Sequence, residues 1–282
     1  MRNLMQAKSY DELRFTDDFM FGKVMENKEL CREVLECLLQ RQVGELEDPL
    51  PQREYRYTTD GKPIRLDIYT RDKDVVYDAE MQNLGKKTLE SLELPRRTRY
   101  YQASLDMDHM KKTWSYKSLP DSEILFICTF DPFGRGLSKY TFHGLCEEDA
   151  DIRINDGATR VFYNCSYKGN DVPEDIRELY SYIETGACSN ELTERIDGAV
   201  AAARMNEEWR SAYMKEITVL MDAREEGREE GREEGREEGR KEGREEGRQE
   251  EQKKTEAERK RADEAEAILA RYREKYGELP VS

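Results

Sequence analysis

Two short segments hold the residues with chemistry to offer. In residues 63–69 and 75–82, acids stand inside runs that otherwise read as buried strand: Asp67 between Leu66 and Ile68, and Glu80 between Ala79 and Met81. A strand points alternate residues to one face, so Asp78, Glu80 and Gln82 share a face while Asp67 stands alone among apolar neighbours. The link Arg71-Asp72-Lys73-Asp74 is short and polar, which predicts an antiparallel hairpin that sets Asp67 beside Glu80. Two carboxylates on paired strands, with few Lys or Arg among them, suit a hard divalent cation, Mg2+ or Mn2+, held through oxygen. The flanks Val75, Val76, Ala79 and Met81 make the second strand a buried one, where a lone carboxylate costs several kcal/mol and a metal is a natural remedy. The plainer reading of Asp67 is a strand-end acid paired with Arg65 or Lys73.

The surrounding pattern predicts what must position these groups. Thr16 or Asp17 ahead of Phe19, Phe21, Val24 and Met25 reads as a capped amphipathic helix, and residues 29–39 repeat the helical period through Leu30, Val34, Leu35, Leu38 and Leu39. Three extended stretches follow at 54–58, 64–70 and 75–82, with Asp60-Gly61 as a turn. Pro95 suits the first turn of a helix running to about Thr113, which sets Arg97, Tyr101, Ser104 and Asp108 along one side. The apolar run 124–130 reads as a central strand buried on both faces, and 159–165 as another. The expectation is an α/β fold, a mixed sheet flanked by helices, with a charged helical tail.

Composition bounds the function. The 282 residues carry a net charge of −15, of which residues 222–282, with 16 basic and 21 acidic side chains, account for −5. Bulk attraction to nucleic acid is excluded by that balance, because neutralising phosphates takes local Lys and Arg. Locally, Arg96, Arg97, Arg99, Lys111, Lys112 and Lys117 outnumber the acids Glu93, Asp106 and Asp108, as beside a phosphodiester site. The six cysteines are scattered without a C-x-x-C pair and read as reduced core residues, and His109 and His143 lack metal spacing. No apolar run approaches the roughly 18 residues of a membrane span, the N-terminus lacks a signal-peptide core, and no phosphate-binding glycine loop is present. A cytoplasmic protein without nucleotide-driven chemistry is expected.

From Arg224 the chain repeats Arg-Glu-Glu-Gly through Arg248. Glu–Arg pairs favour helix modestly, whereas each glycine costs about 1 kcal/mol against alanine, so a solitary helix should fray. Glycine at this interval also makes a smooth strip on which a second helix can lie close. A solvated, partly disordered tail and a self-associating helix making a homo-oligomer both remain open. The expected divisions are 1–190, a helical connector 191–223, and the charged tail 224–282.

Asp followed about a dozen residues later by Glu-x-Gln resembles the PD-(D/E)XK nuclease superfamily. Four stretches together, residues 15–21, 66–69, 79–82 and 94–101, more narrowly resemble the PD-(D/E)XK nuclease-family transposases, also called recombination-promoting nucleases. The likeness covers about residues 10–185. It implies a restriction-endonuclease-like core and a Mg2+-dependent deoxyribonuclease with a role in DNA mobility, recombination or defence. Asp67, Glu80 and the Met81 carbonyl would hold the ion, Gln82 would orient the nucleophile, and Asp18 on the first helix would assist. Asp17 is the alternative to Asp18, about 100° away on the helix, and either also reads as an N-cap. Gln82 stands where the superfamily often has lysine, an amide that supplies no charge, and Lys86, Lys87 or Arg97 could supply it. Arg97, Tyr101 and Lys86 are candidate DNA contacts, although a tyrosine pair at helical spacing also builds core. A second class of function stays open: a catalytically weak binding or regulatory protein on an old nuclease scaffold.

Overall fold

The computed structural model describes residues 8–55, 64–83, 93–149 and 151–277. The chain divides into two units, one ending at Met214 and one beginning at Lys215.

The first unit opens with α1 (Asp18–Met25) and α2 (Lys28–Leu39). The α2 helix starts at Asn27, whose side-chain oxygen accepts from the Leu30 amide at 3.0 Å, and it buries Leu30, Cys31, Val34, Leu35 and Leu38. Then come β1 (Leu50–Tyr55), β2 (Ile64–Arg71), β3 (Val75–Gln82), α3 (Glu93–His109), β4 (Asp121–Cys128), β5 (Lys139–Phe142) and β6 (Ala158–Asn164). The six strands form one mixed sheet in the order β1-β2-β3-β4-β6-β5. β2 runs antiparallel to both β1 and β3, β4 is parallel to both β3 and β6, and β5 runs antiparallel to β6. A continuous apolar run at its centre explains why β4 sits in the middle: Ile124, Leu125, Phe126, Ile127 and Cys128 are all buried, on both faces. Each such side chain stabilises the fold by about 1.5–3 kcal/mol. The helix α3 covers one face, with Tyr101 stacked on Phe126 and Phe126 on Phe162.

Several boundaries differ from expectation. The first strand is Leu50–Tyr55 and includes Pro51, tolerated because β1 lies at the sheet edge. Residues 56–63, with the expected Asp60-Gly61 turn, lie outside the described residues. The α3 helix stops at His109, short of Thr113, because Leu105 is its last apolar side chain buried on the sheet. The four-residue β5 carries too little pattern to be read. After α4 (Glu174–Thr185), α5 (Glu191–Arg204) buries Ile196, Val200 and Ala203, and the Tyr10 hydroxyl donates to the Ala203 carbonyl at 2.7 Å. The stretch from residue 191, expected as a helical connector, is helical over Glu191–Arg204 and again from Glu207, and it is packed as far as Tyr213, which is buried against Tyr10 and Phe19. Small side chains in α5 hid this, since alanine makes little hydrophobic signal. All six cysteines are free, and Cys31, Cys37, Cys128 and Cys165 are buried.

The last helix, α6, runs unbroken from Glu207 to Tyr276. Its portion in the second unit is helical through all six glycines from Gly227 to Gly247, and a Cβ on any of them would meet nothing within 4 Å.

Candidate functional site

The hairpin comes apart where the acids stand. Pairing between β2 and β3 runs from Arg71↔Val76 to Ile68↔Ala79 and ends, while β3 stays in register with β4 as far as Gln82↔Cys128. In the fork, the two carboxylates replace the missing rungs crosswise. The Asp67 amide donates to Glu80 Oε1 at 2.8 Å, and the Met81 amide donates to Asp67 Oδ2 at 2.9 Å. On the other side of β2, the register skips Gln52, which faces Asp67 between the pairs Pro51↔Ile68 and Arg53↔Leu66. Gln52 has φ 52°, a left-handed conformation that costs a residue other than glycine about 1–2 kcal/mol. Local strain thus accompanies the departure of β2 from regular pairing.

Burial makes the fork electrostatically unusual. Glu80 and Asp78 are wholly inaccessible and Gln82 nearly so. The carboxyls of Asp67, Asp78 and Glu80 are all raised well above the ordinary range. Burial is the main cause for each, followed by repulsion from Glu80 on Asp67, from Asp67 on Asp78, and from Asp78 on Glu80; Arg97 opposes all three. Among the described residues, neither oxygen of Asp78 has a hydrogen-bond partner.

A guanidinium enters the fork from α3. Arg97 Nη2 donates to Glu80 Oε2 at 2.6 Å and Nη1 to Gln82 Oε1 at 3.2 Å. Its plane lies near the Tyr101 and Phe126 rings, 5.1 and 5.6 Å from their centroids. Residues 97 and 101 are one helical turn apart, so tyrosine holds arginine against the sheet. Gln82 is spent inward: its oxygen accepts from Arg97 and its amide donates to the Met81 carbonyl at 3.0 Å. A positive charge therefore stands beside Gln82, delivered from a helix and not from the strand.

The neighbouring acids separate clearly. Asp17 is bound by Lys8 at 2.6 Å and by the Arg14 amide at 2.8 Å. Asp18 is exposed at the rim; the protein crowding around it raises its carboxyl, Arg65 opposes, and its charge is felt at Asp67. Of the two, Asp18 is the one whose charge reaches Asp67. Asp17 occupies the N-cap position of α1 without making the side-chain bond of a cap.

The arrangement offers oxygen donors for a hard cation. Among the described residues no three His, Cys, Asp or Glu side chains gather closely enough to hold an ion by themselves. Mg2+ is commonly bound by only one or two carboxylates and keeps several waters, so Asp67, Glu80 and the Met81 carbonyl fit it chemically. The Asp78 oxygens, unpartnered among the described residues, and the gathering of the Asp67, Asp78 and Glu80 carboxyls around Arg97 favour a cation there. Tyr101 is 7 % exposed and packed in the core, whereas Tyr100 is 44 % exposed; Lys86 and Lys87 lie outside the described residues. Asp78 was overlooked as a site residue although its shared face with Glu80 and Gln82 signalled it.

Compared with protein families, with curated proteins and with solved structures, the chain finds no match. No described helix is long and apolar enough to cross a membrane.

Proposed function

We infer that this chain is a metal-dependent DNA endonuclease of the PD-(D/E)XK kind, similar to the recombination-promoting nucleases. The observation that carries this reading is the fork, where Asp67 and Glu80 stand on parting strands and each binds the other strand's amide. A bound Mg2+ or Mn2+ would supply an activated water and neutralise phosphate charge. Asp67 and Glu80 would hold it with the Met81 carbonyl, and Asp18 would add negative charge at the open rim. Arg97 supplies the fixed positive charge that Gln82 lacks, and Gln82 keeps Arg97 in place. Nicking or linearisation of a plasmid in the presence of Mg2+, lost in Glu80→Gln, tests the reading; an uncut plasmid across Mg2+ and Mn2+ concentrations overturns it.

One observation favours the second reading, a binding or regulatory protein on this scaffold. Both Glu80 oxygens are already bonded, one by Arg97, so the protein carries its own cation where a metal would act. Metal binding without cleavage, or neither, selects it.

Gln82→Lys alone puts an ammonium beside the guanidinium and removes its acceptor, so it should lower both thermal stability and cleavage. Combined with Arg97→Ala it should recover much of the loss, giving a coupling of about 1–3 kcal/mol in a double-mutant cycle of melting curves. Additive effects would show that the two positions do not share one charge.

The tail is proposed as a homo-oligomerisation element, because a helix with six unpacked glycines gains stability only if another helix covers it. Removing everything after Met221 should lower the subunit count in light scattering. An unchanged count makes the repeat a solvated spacer.

A further inference from the structure

Between the end of α3 and the start of β4 the chain runs through eight consecutive exposed residues, 111–118: Lys-Lys-Thr-Trp-Ser-Tyr-Lys-Ser. Trp114 is 46 % exposed and Tyr116 is 89 % exposed. A solvent-facing tryptophan and tyrosine two residues apart have no part in the core, and their rings are hydrophobic surface that water opposes. Three lysines accompany them, and no acid occurs between Asp108 and Asp121. Asp108 is itself engaged by Arg53 at 2.7 Å. In a chain of net charge −15 this is a local concentration of positive charge. The loop is also shaped: the Trp114 amide closes a turn on the Lys111 carbonyl at 2.9 Å, and Ser115 caps the short 3-10 turn at residues 116–118. Lys111 Nζ lies 4.8 Å from the Trp114 ring centroid, so charge and aromatic surface are presented together.

We propose that this loop is a docking surface for single-stranded DNA, with Trp114 and Tyr116 stacking on bases and Lys111, Lys112 and Lys117 bonding phosphates. Stacking on aromatic side chains along a lysine-lined path is how strands are held without regard to sequence, because every base has a π-face. An acidic peptide would use the lysines but leave two exposed rings without a task. The loop stands at the end of the sheet where β3 and β4 begin, paired at Val75↔Asp121. Glu80 lies five residues further along β3, about 17 Å at the usual rise per residue, a span within strand-binding sites of about 4–16 nucleotides. The choice of DNA over RNA rests on the nuclease reading; the binding itself does not, and it is measured with a chelator present so that it stands or falls apart from cleavage.

The chain has two tryptophans, so Trp209→Phe leaves Trp114 as the sole indole fluorophore. In the full-length Trp209→Phe protein, a 16-nucleotide mixed-sequence single-stranded DNA should quench Trp114 emission. By fluorescence anisotropy of the labelled strand, Trp114→Ala and Tyr116→Ala in the otherwise unaltered protein should each weaken binding roughly tenfold without changing the melting temperature. Replacing the three lysines with alanine should weaken binding and flatten the dependence of log Kd on log salt by about 2. Absent quenching, or binding indifferent to both aromatic variants, overturns the proposal. So does tighter binding of the matching duplex, of the RNA of the same sequence, or of poly-glutamate.

Discussion

Glu80→Gln is expected to remove Mg2+-dependent cleavage while leaving a stable protein. The single amide oxygen can accept from Arg97 or from the Asp67 amide, which Glu80 meets at 2.6 and 2.8 Å, but not from both, so one contact is lost while the repulsion with Asp67 and Asp78 is relieved. What it loses is charge, and with it a ligand for the ion. The rate should fall by more than the roughly 10–100-fold that loss of a residue merely orienting a metal ligand costs. Asp67→Asn should behave in the same way, since its oxygen can still accept from Met81. Cleavage rates on supercoiled plasmid, read beside Mn2+ binding by electron paramagnetic resonance, check both variants. A folded Glu80→Gln protein that cuts at the wild-type rate would remove the metal assignment altogether.

Arg97→Ala is expected to give the largest loss of stability in the protein. It strips the guanidinium bound to Glu80 and leaves Asp67, Asp78 and Glu80 facing one another. Removing one partner of a buried pair costs about 3–5 kcal/mol, and the lower end applies because the Arg97 side chain is 32 % exposed. The loss should depend on pH in a definite sense. Each carboxyl is raised above its unfolded value of about 4, so the folded state holds protons that the unfolded state has released. Their contribution is complete below that unfolded value and is lost as pH rises through the raised values. Without metal, Arg97→Ala should approach wild type in mildly acidic buffer and fall furthest behind it at alkaline pH. Melting temperatures from pH 5 to 9 in chelator measure this; a constant gap means that Arg97 contributes packing against Tyr101 and Phe126 and no charge. Arg97→Lys should recover only part, because a single ammonium cannot bond Glu80 and Gln82 with the planar fork of a guanidinium.

Much of this was readable in the chain because the central elements obey local rules. The hairpin at 64–82 announced itself by alternation and a polar turn, and β4 by unbroken apolar character, so the sheet and its acids could be placed together. Asp18 could not be separated from Asp17 by pattern: Lys8 and the Arg14 amide, which hold Asp17 away, lie outside α1. The inward turn of Gln82 was equally hidden, since it depends on Arg97 arriving from a helix that a one-dimensional pattern places only by period. Asp78 is hard to place from pattern, because a buried carboxylate without a partner among the described residues departs from the rule that buried polar groups are bonded.

The irregular backbone of β1 at Gln52 bears on how the molecule avoids aggregation. A free sheet edge invites another chain to add a strand, and proteins that stay apart spoil their edges. Here one edge strand carries Pro51, which has no amide to give, next to Gln52 with its left-handed φ of 52°. The other edge, β5, has only four residues and begins with a lysine. Neither offers the long flat row of amides and carbonyls that templates fibrils. The irregularity that accompanies the parting of strands at Asp67 therefore also blunts one border of the sheet, and growth by strand addition is disfavoured on both sides.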